Sequence, residues 1–213
     1  MDNWFLTLIR LVVPLTILKW PLSGLVLSGF IDYRDWGYYK FENQDDYRVY
    51  QIWDKLLDTY YLGFAAIKTF SWKDAIASKV GVYSFLERAI GVFLFVSTNN
   101  RYFLLFFPNF FENFFFFYIF YKTTTNRTIL FTNTKRTIVI VIALLIPKLI
   151  QEYLYHIAQI QIWKVIDIAD FLGIENIAPN DFSFWFWVGL YLLFPFIMFV
   201  WIFIKEKRSN IRN

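Results

Sequence analysis

The chain has 213 residues, 58% of them hydrophobic and 23% aromatic, with a mean hydropathy of +0.42. A soluble domain averages roughly 45–50% apolar residues, so this composition exceeds what a water-soluble core hides and points to a single-domain integral membrane protein. There is no cysteine to supply a disulfide frame, a thiolate nucleophile or a sulfur metal site, and the net charge of +4 suits basic loop ends and carries no nucleic-acid signal.

Residues 4–31 are apolar but interrupted by Arg10, Pro14, Lys19 and Pro21. A spanning helix needs about 20 apolar residues, so this stretch fits one kinked span or two short helices meeting near Lys19–Pro21. Arg10 and Lys19 inside it, with no small-residue cleavage site, argue against a cleaved signal peptide. Both can snorkel to the interface, or Arg10 can face the acids that follow. Residues 32–55 are polar, with Trp36, Tyr38, Tyr39 and Trp53 marking a membrane–water boundary.

Apolar runs follow at 54–70, 80–98 and 102–121. The second contains Glu87–Arg88, which reads as an intramembrane ion pair. The third is rich in Phe, which reads as lipid-facing. Its Asn109, Glu112 and Asn113 share a helical face and suit hydrogen bonding to a neighbouring helix, with a headgroup site as the alternative. The loop 122–136 holds Lys122, Arg127, Lys135 and Arg136 and no acid. A further span covers 137–158, where Glu152 and His156 read as an interfacial pair before half a metal or proton-relay site. Residues 159–181 are amphipathic, 182–204 form the longest charge-free run, and 205–213 are a basic tail.

The expected fold is an all-α polytopic membrane domain over residues 1–213, with six or seven transmembrane helices. It belongs in the plasma membrane of a prokaryote or the endomembranes of a eukaryote. Basic loops stay in the cytoplasm, which places 122–136 and the tail there. Counting one span per run then puts the acidic stretch outside, unless a broken or re-entrant segment at Pro108 reverses the count.

That acidic stretch, 32–58, carries two close pairs, Asp32/Asp35 and Asp54/Asp58. Residues three or four apart share a helical face, so each pair aims two carboxylates the same way. A helix end bearing the first pair opposite a helix start bearing the second gathers four carboxylates, a ligand set for a hard cation such as Mg²⁺. Alternatively, Asp32 and Asp35 are interfacial caps and Asp54 and Asp58 are helix-start acids favoured by the macrodipole. Arg34, Arg48 and Lys55 offer partners to either scheme.

These acids resemble the motif of the CDP-alcohol phosphatidyltransferases, Asp-x2-Asp-Gly-x2-Ala-Arg-x8-Gly-x3-Asp-x3-Asp. Asp32-x2-Asp35 matches its first pair and Asp54-x3-Asp58 its last, with a gap one residue longer. The upstream Asn3, Thr7-Leu-Ile-Arg10 and Pro14 are similar to that family's first helix, so the resemblance covers roughly the first third of the chain. Trp36 stands in place of the first glycine, with Gly37 one position later; Tyr39-Lys40 replaces Ala-Arg, and Tyr50 replaces the second glycine. Glycine admits close backbone approach, so Trp36 and Tyr50 crowd a diphosphate, while Lys40 keeps the arginine's charge without its fork.

The resemblance implies a six-span enzyme of membrane lipid synthesis. Asp32, Asp35 and Asp54 would hold Mg²⁺ or Mn²⁺ on the diphosphate of a CDP-activated lipid or alcohol. Asp58 would be the general base for a hydroxyl acceptor, with Lys40 and Gly37 near the donor phosphates. The partners are those two substrates and the bilayer, without nucleic acid, and a homodimer is allowed. Two other readings stay open: a non-catalytic relative used for binding or assembly, and a small cation-linked transporter. The transporter needs paired broken helices, hinted at only by Pro14/Pro21 and Pro108.

Overall fold

The first apolar stretch folds as a hairpin of short helices in the computed structural model, which describes residues 4–35, 44–157, 197, 200–202 and 204. Helix α1 (Trp4–Val12) tightens through a 3₁₀ turn at Pro14 into α2 (Thr16–Lys19), and α3 (Pro21–Asp35) begins after Trp20. Trp20 leaves helical geometry at φ −123° and ψ 77°, as the residue before a proline tends to. The chain then doubles back so tightly that a Cβ on Gly24 would lie 2.6 Å from the Ile17 amide nitrogen. Only glycine fits there. Of the two readings of this stretch, short helices meeting near Lys19–Pro21 are the one formed.

Helix α4 (Gln44–Thr69) runs beside α1–α2 in the same direction. The Tyr60 hydroxyl donates to the Leu11 carbonyl at 3.0 Å, and Lys68 Nζ to the Leu18 carbonyl at 2.9 Å. It starts ten residues before Asp54, so Asp54 and Asp58 lie within a helix and do not open one. That removes the helix-start explanation for this pair, because the macrodipole acts only in the terminal turn.

Helix α5 (Ala75–Thr98) is capped by Asp74, whose carboxylate accepts from the Ala77 amide at 3.0 Å and from the amides of Leu130 and Phe131 at 2.7 and 2.9 Å. One buried acid thereby ties the α5 start to the loop after α7. Helix α6 (Tyr102–Phe106) breaks at Phe107–Asn109, and α7 (Phe110–Thr125) continues beyond. Helix α8 (Thr134–Glu152) passes through Pro147 into a wider π-type turn at Tyr153–Ile157.

The Phe-rich run is the core. Phe111, Phe114, Phe115 and Phe117 are 0% exposed, because α7 is enclosed by α3, α4, α5 and α8. Trp72 stacks on Tyr118 with ring centroids 3.9 Å apart. The expectation that these rings face lipid is therefore wrong. The outer surface carries other large apolar side chains, among them Trp4, Phe70, Tyr83, Phe93 and Phe106.

Among the described residues 86% are helical and none is in a strand. Ala75–Thr98 and Tyr102–Thr125 are each long and apolar enough to cross a membrane, at a mean hydropathy of 1.5. The other runs among the described residues fall short of six or seven spans. The hairpin divides 4–31, and charged residues such as Asp54, Lys55 and Asp58, or Lys148 and Glu152, dilute α4 and α8. The segments 36–43, 159–181 and 205–213, and most of the run 182–204, lie outside the described residues.

Candidate functional site

The hairpin positions Arg10 and Asp32 at its open end. Arg10 lies ten residues before Trp20 and Asp32 twelve after it, so on helices rising 1.5 Å per residue they finish nearly level. Helix α4 crosses this end with Asp54, Asp58 and Tyr61, spaced i, i+4, i+7 on one face. Ligand atoms of Asp32, Asp54 and Asp58 converge within 4.8 Å of one another. Asp32 of the first pair thus meets Asp54 and Asp58 of the second across the bend. For Asp35 the structure gives the backbone, at the end of α3, while Gly37 and Lys40 lie outside the described residues.

Two cations stand among the three carboxylates. The Arg10 guanidinium is buried and reaches all of them: Asp32 directly, Asp58 at 3.2 Å and Asp54 at 3.4 Å. Lys55 Nζ bridges Asp54 at 2.7 Å and Asp58 at 3.0 Å. When all five are ionised, the group keeps one net negative charge. A buried charge is tolerable only when paired, and this arrangement supplies the pairing. It also leaves hard oxygen donors, the kind Mg²⁺ and Mn²⁺ take. The donor chemistry therefore fits a divalent cation, which would share these oxygens with Arg10 and Lys55 or displace them.

One turn away on both helices lies a second polar group. Tyr61, three residues after Asp58, donates its hydroxyl to Glu112 Oε1 at 2.7 Å. A Cβ on Gly29, three residues before Asp32, would sit 3.7 Å from that same oxygen. Asn109 Nδ2 donates to Glu112 Oε2 at 2.7 Å. Glu112 thus bonds a neighbouring helix, as the shared face of Asn109, Glu112 and Asn113 predicts. Tyr61 was legible only as the next residue on the Asp54/Asp58 face.

Beyond it, the Asn109 amide donates to Glu152 Oε1 at 3.1 Å, and Lys148 and His156 pair with the same carboxylate at 3.3 and 2.9 Å. Glu152 is buried, so the Glu152–His156 pair lies inside the protein. Arg88 turns to backbone: its Nη1 donates to the carbonyls of Leu104 at 3.3 Å and Phe107 at 2.9 Å. The break between α6 and α7 frees carbonyls on one side and an amide on the other. An arginine takes the former and a glutamate the latter. Gly91 makes the approach feasible, since a Cβ there would fall 2.2 Å from Phe107 Cβ.

No family model, no curated protein and no solved structure matches this chain.

Proposed function

We propose that the chain is a membrane-embedded, metal-dependent transferase that moves a phospho-alcohol or phosphatidyl group from a CDP-linked donor to a hydroxyl acceptor. The observation that carries this reading is the convergence of Asp32, Asp54 and Asp58 within 4.8 Å, from pairs spaced as in the CDP-alcohol phosphatidyltransferase motif with a gap one residue longer. The bilayer setting draws support from the inverted distribution of polarity. Trp4, Phe70 and Phe106 are exposed while Arg10, Asp58, Arg88, Lys148 and Glu152 are buried, the reverse of a soluble surface. On that reading the chain has six or seven spans.

Asp32 and Asp54, with Asp35 beside them in sequence, would hold Mg²⁺ or Mn²⁺. When bound, the ion supplies charge compensation for the diphosphate oxygens and for departing cytidine monophosphate. Asp58 takes the proton of the acceptor hydroxyl. The acceptor oxygen forms its bond to the distal phosphorus of the donor as the bond to the cytidylate oxygen breaks. Arg10 and Lys55 fix the carboxylates and bring positive charge to the same end of the bundle, where phosphate must lie.

A second reading draws on two specific observations. Arg10 contacts all three acids, and Tyr50, at the position of the family's second glycine, is buried one turn before Asp54. Both favour a relative that keeps the fold and uses it for binding. The deciding experiment incubates the purified protein with Mg²⁺ or Mn²⁺ and a panel of CDP-diacylglycerol and CDP-alcohols, and measures cytidine monophosphate release. Asp58→Asn should lower that release by about 10²–10⁴-fold, the usual worth of a general base. Release by Asp58→Asn at the wild-type rate rules out Asp58 as the base; no release from any donor selects the binding reading.

A further inference from the structure

The start of α7 carries two buried acceptors that no described residue satisfies. Among the described residues Asn109 Oδ1 and Asn113 Oδ1 have no hydrogen-bond partner, although both side chains are at least nine-tenths buried. A buried acceptor left unpaired costs about 1–3 kcal/mol, so such atoms ask for an explanation. They flank Glu112, at i+3 and i+4 from Asn109, on one turn of a 16-residue helix. Glu112 is anchored to α4 through Tyr61 and lies against the α3 backbone at Gly29. Gly29 and Tyr61 are each one turn, about 5.4 Å, from Asp32 and Asp58. The unpaired oxygens therefore belong to the layer next to the carboxylate cluster.

This layer is rich in acceptors. The basic groups around it are engaged: Arg10 and Lys55 on the carboxylate cluster, Arg88 on the carbonyls of Leu104 and Phe107, Lys148 on Gln151 and Glu152. Two amide oxygens beside a carboxylate repel an anion and welcome O–H or N–H donors. We propose that the Asn109–Glu112–Asn113 turn seats the acceptor alcohol, and that this alcohol is rich in donors and free of phosphate: a polyol or an amino alcohol. The ligand's role as acceptor rests on the transferase reading; its binding does not.

The test uses the full chain in detergent, without divalent cation, and equilibrium dialysis of radiolabelled inositol, glycerol, ethanolamine and glycerol phosphate. Inositol, glycerol or ethanolamine should bind, and glycerol phosphate should bind about tenfold more weakly than glycerol or not at all. Asn113→Leu should weaken that binding by about tenfold, the loss of one good hydrogen bond, with Asn113→Ala as a second variant should the leucine fail to fold. Folding is checked by helicity and elution volume. Binding by either folded variant within twofold of the wild type overturns the site, as does failure of the wild type to bind any phosphate-free probe. Asn113-sensitive binding without cytidine monophosphate release from any donor keeps the site and sinks the transferase. Release with an acceptor KM unchanged in both variants does the reverse.

Discussion

Arg10 is the side chain on which the acidic site turns. It is one guanidinium shared by three carboxylates from two helices, and removing one partner of a buried charge group costs about 3–5 kcal/mol. Arg10→Gln should therefore lower stability by an amount of that order, read as a drop in the thermal midpoint of the purified protein. Mn²⁺ should restore part of the loss in the variant, because a divalent cation can compensate the acids that the arginine leaves; absence of any such rescue argues against a metal among these oxygens. The shared face of Asp54 and Asp58 was legible from their i+4 spacing, whereas their meeting with Asp32 depends on how α3 packs on α4. The depth of the pairing was not legible either. Nothing in the sequence says that Lys55 folds back on Asp54 and Asp58 while Arg48, seven residues earlier, stays exposed.

At the scale of elements, two glycines set the architecture. Gly24 lets α3 return against α2, and Gly91 lets α5 meet the α6–α7 break. Gly91→Ala places a methyl group 2.2 Å from Phe107 Cβ, and overpacking of this kind costs about 1–3 kcal/mol. Its thermal midpoint should fall, whereas Gly63→Ala, whose Cβ would sit 3.8 Å from the Phe85 ring, should be nearly neutral. Equal effects of the two would show that the close approach at Phe107 is not what holds the break. The break itself was visible as Pro108 followed by polar residues. The burial of the Phe run was not visible, for a physical reason: lipid tails are as apolar as leucine, so an apolar run reads alike whether it faces lipid or protein. What distinguishes α7 is its place among four neighbours, which only the tertiary structure supplies.

Among the described residues, three successive helical passages separate the acidic end from the basic loop. Helix α4 leaves the carboxylate cluster, α5 returns and α6–α7 leaves again. The break at Pro108 does not reverse the path, since Phe107 meets Gly91 and Phe111 meets Gly81 in one antiparallel sequence along α5. Pro108 therefore makes no re-entrant turn between α6 and α7. In sealed vesicles a membrane-impermeant maleimide should label Asp45→Cys and Thr132→Cys from opposite sides, and the absence of native cysteine makes the assay clean. Labelling of both from one side would refute the three-passage path. The transferase reading further requires that Asp45 face the compartment supplying the CDP-linked donor.

The charges that close the α6–α7 break also constrain how the chain is made. Arg88 arrives with α5, before the carbonyls of Leu104 and Phe107 have been synthesised, and Glu152 arrives some forty residues after the Asn109 amide it receives. On the bilayer reading proposed above, neither α5 nor the broken helix is complete as an independent insertion unit, and the segment from Ala75 to His156 settles as one cooperative block. A nascent chain ending at residue 130 should remain extractable by alkaline carbonate and open to protease, and one ending at residue 160 should resist both.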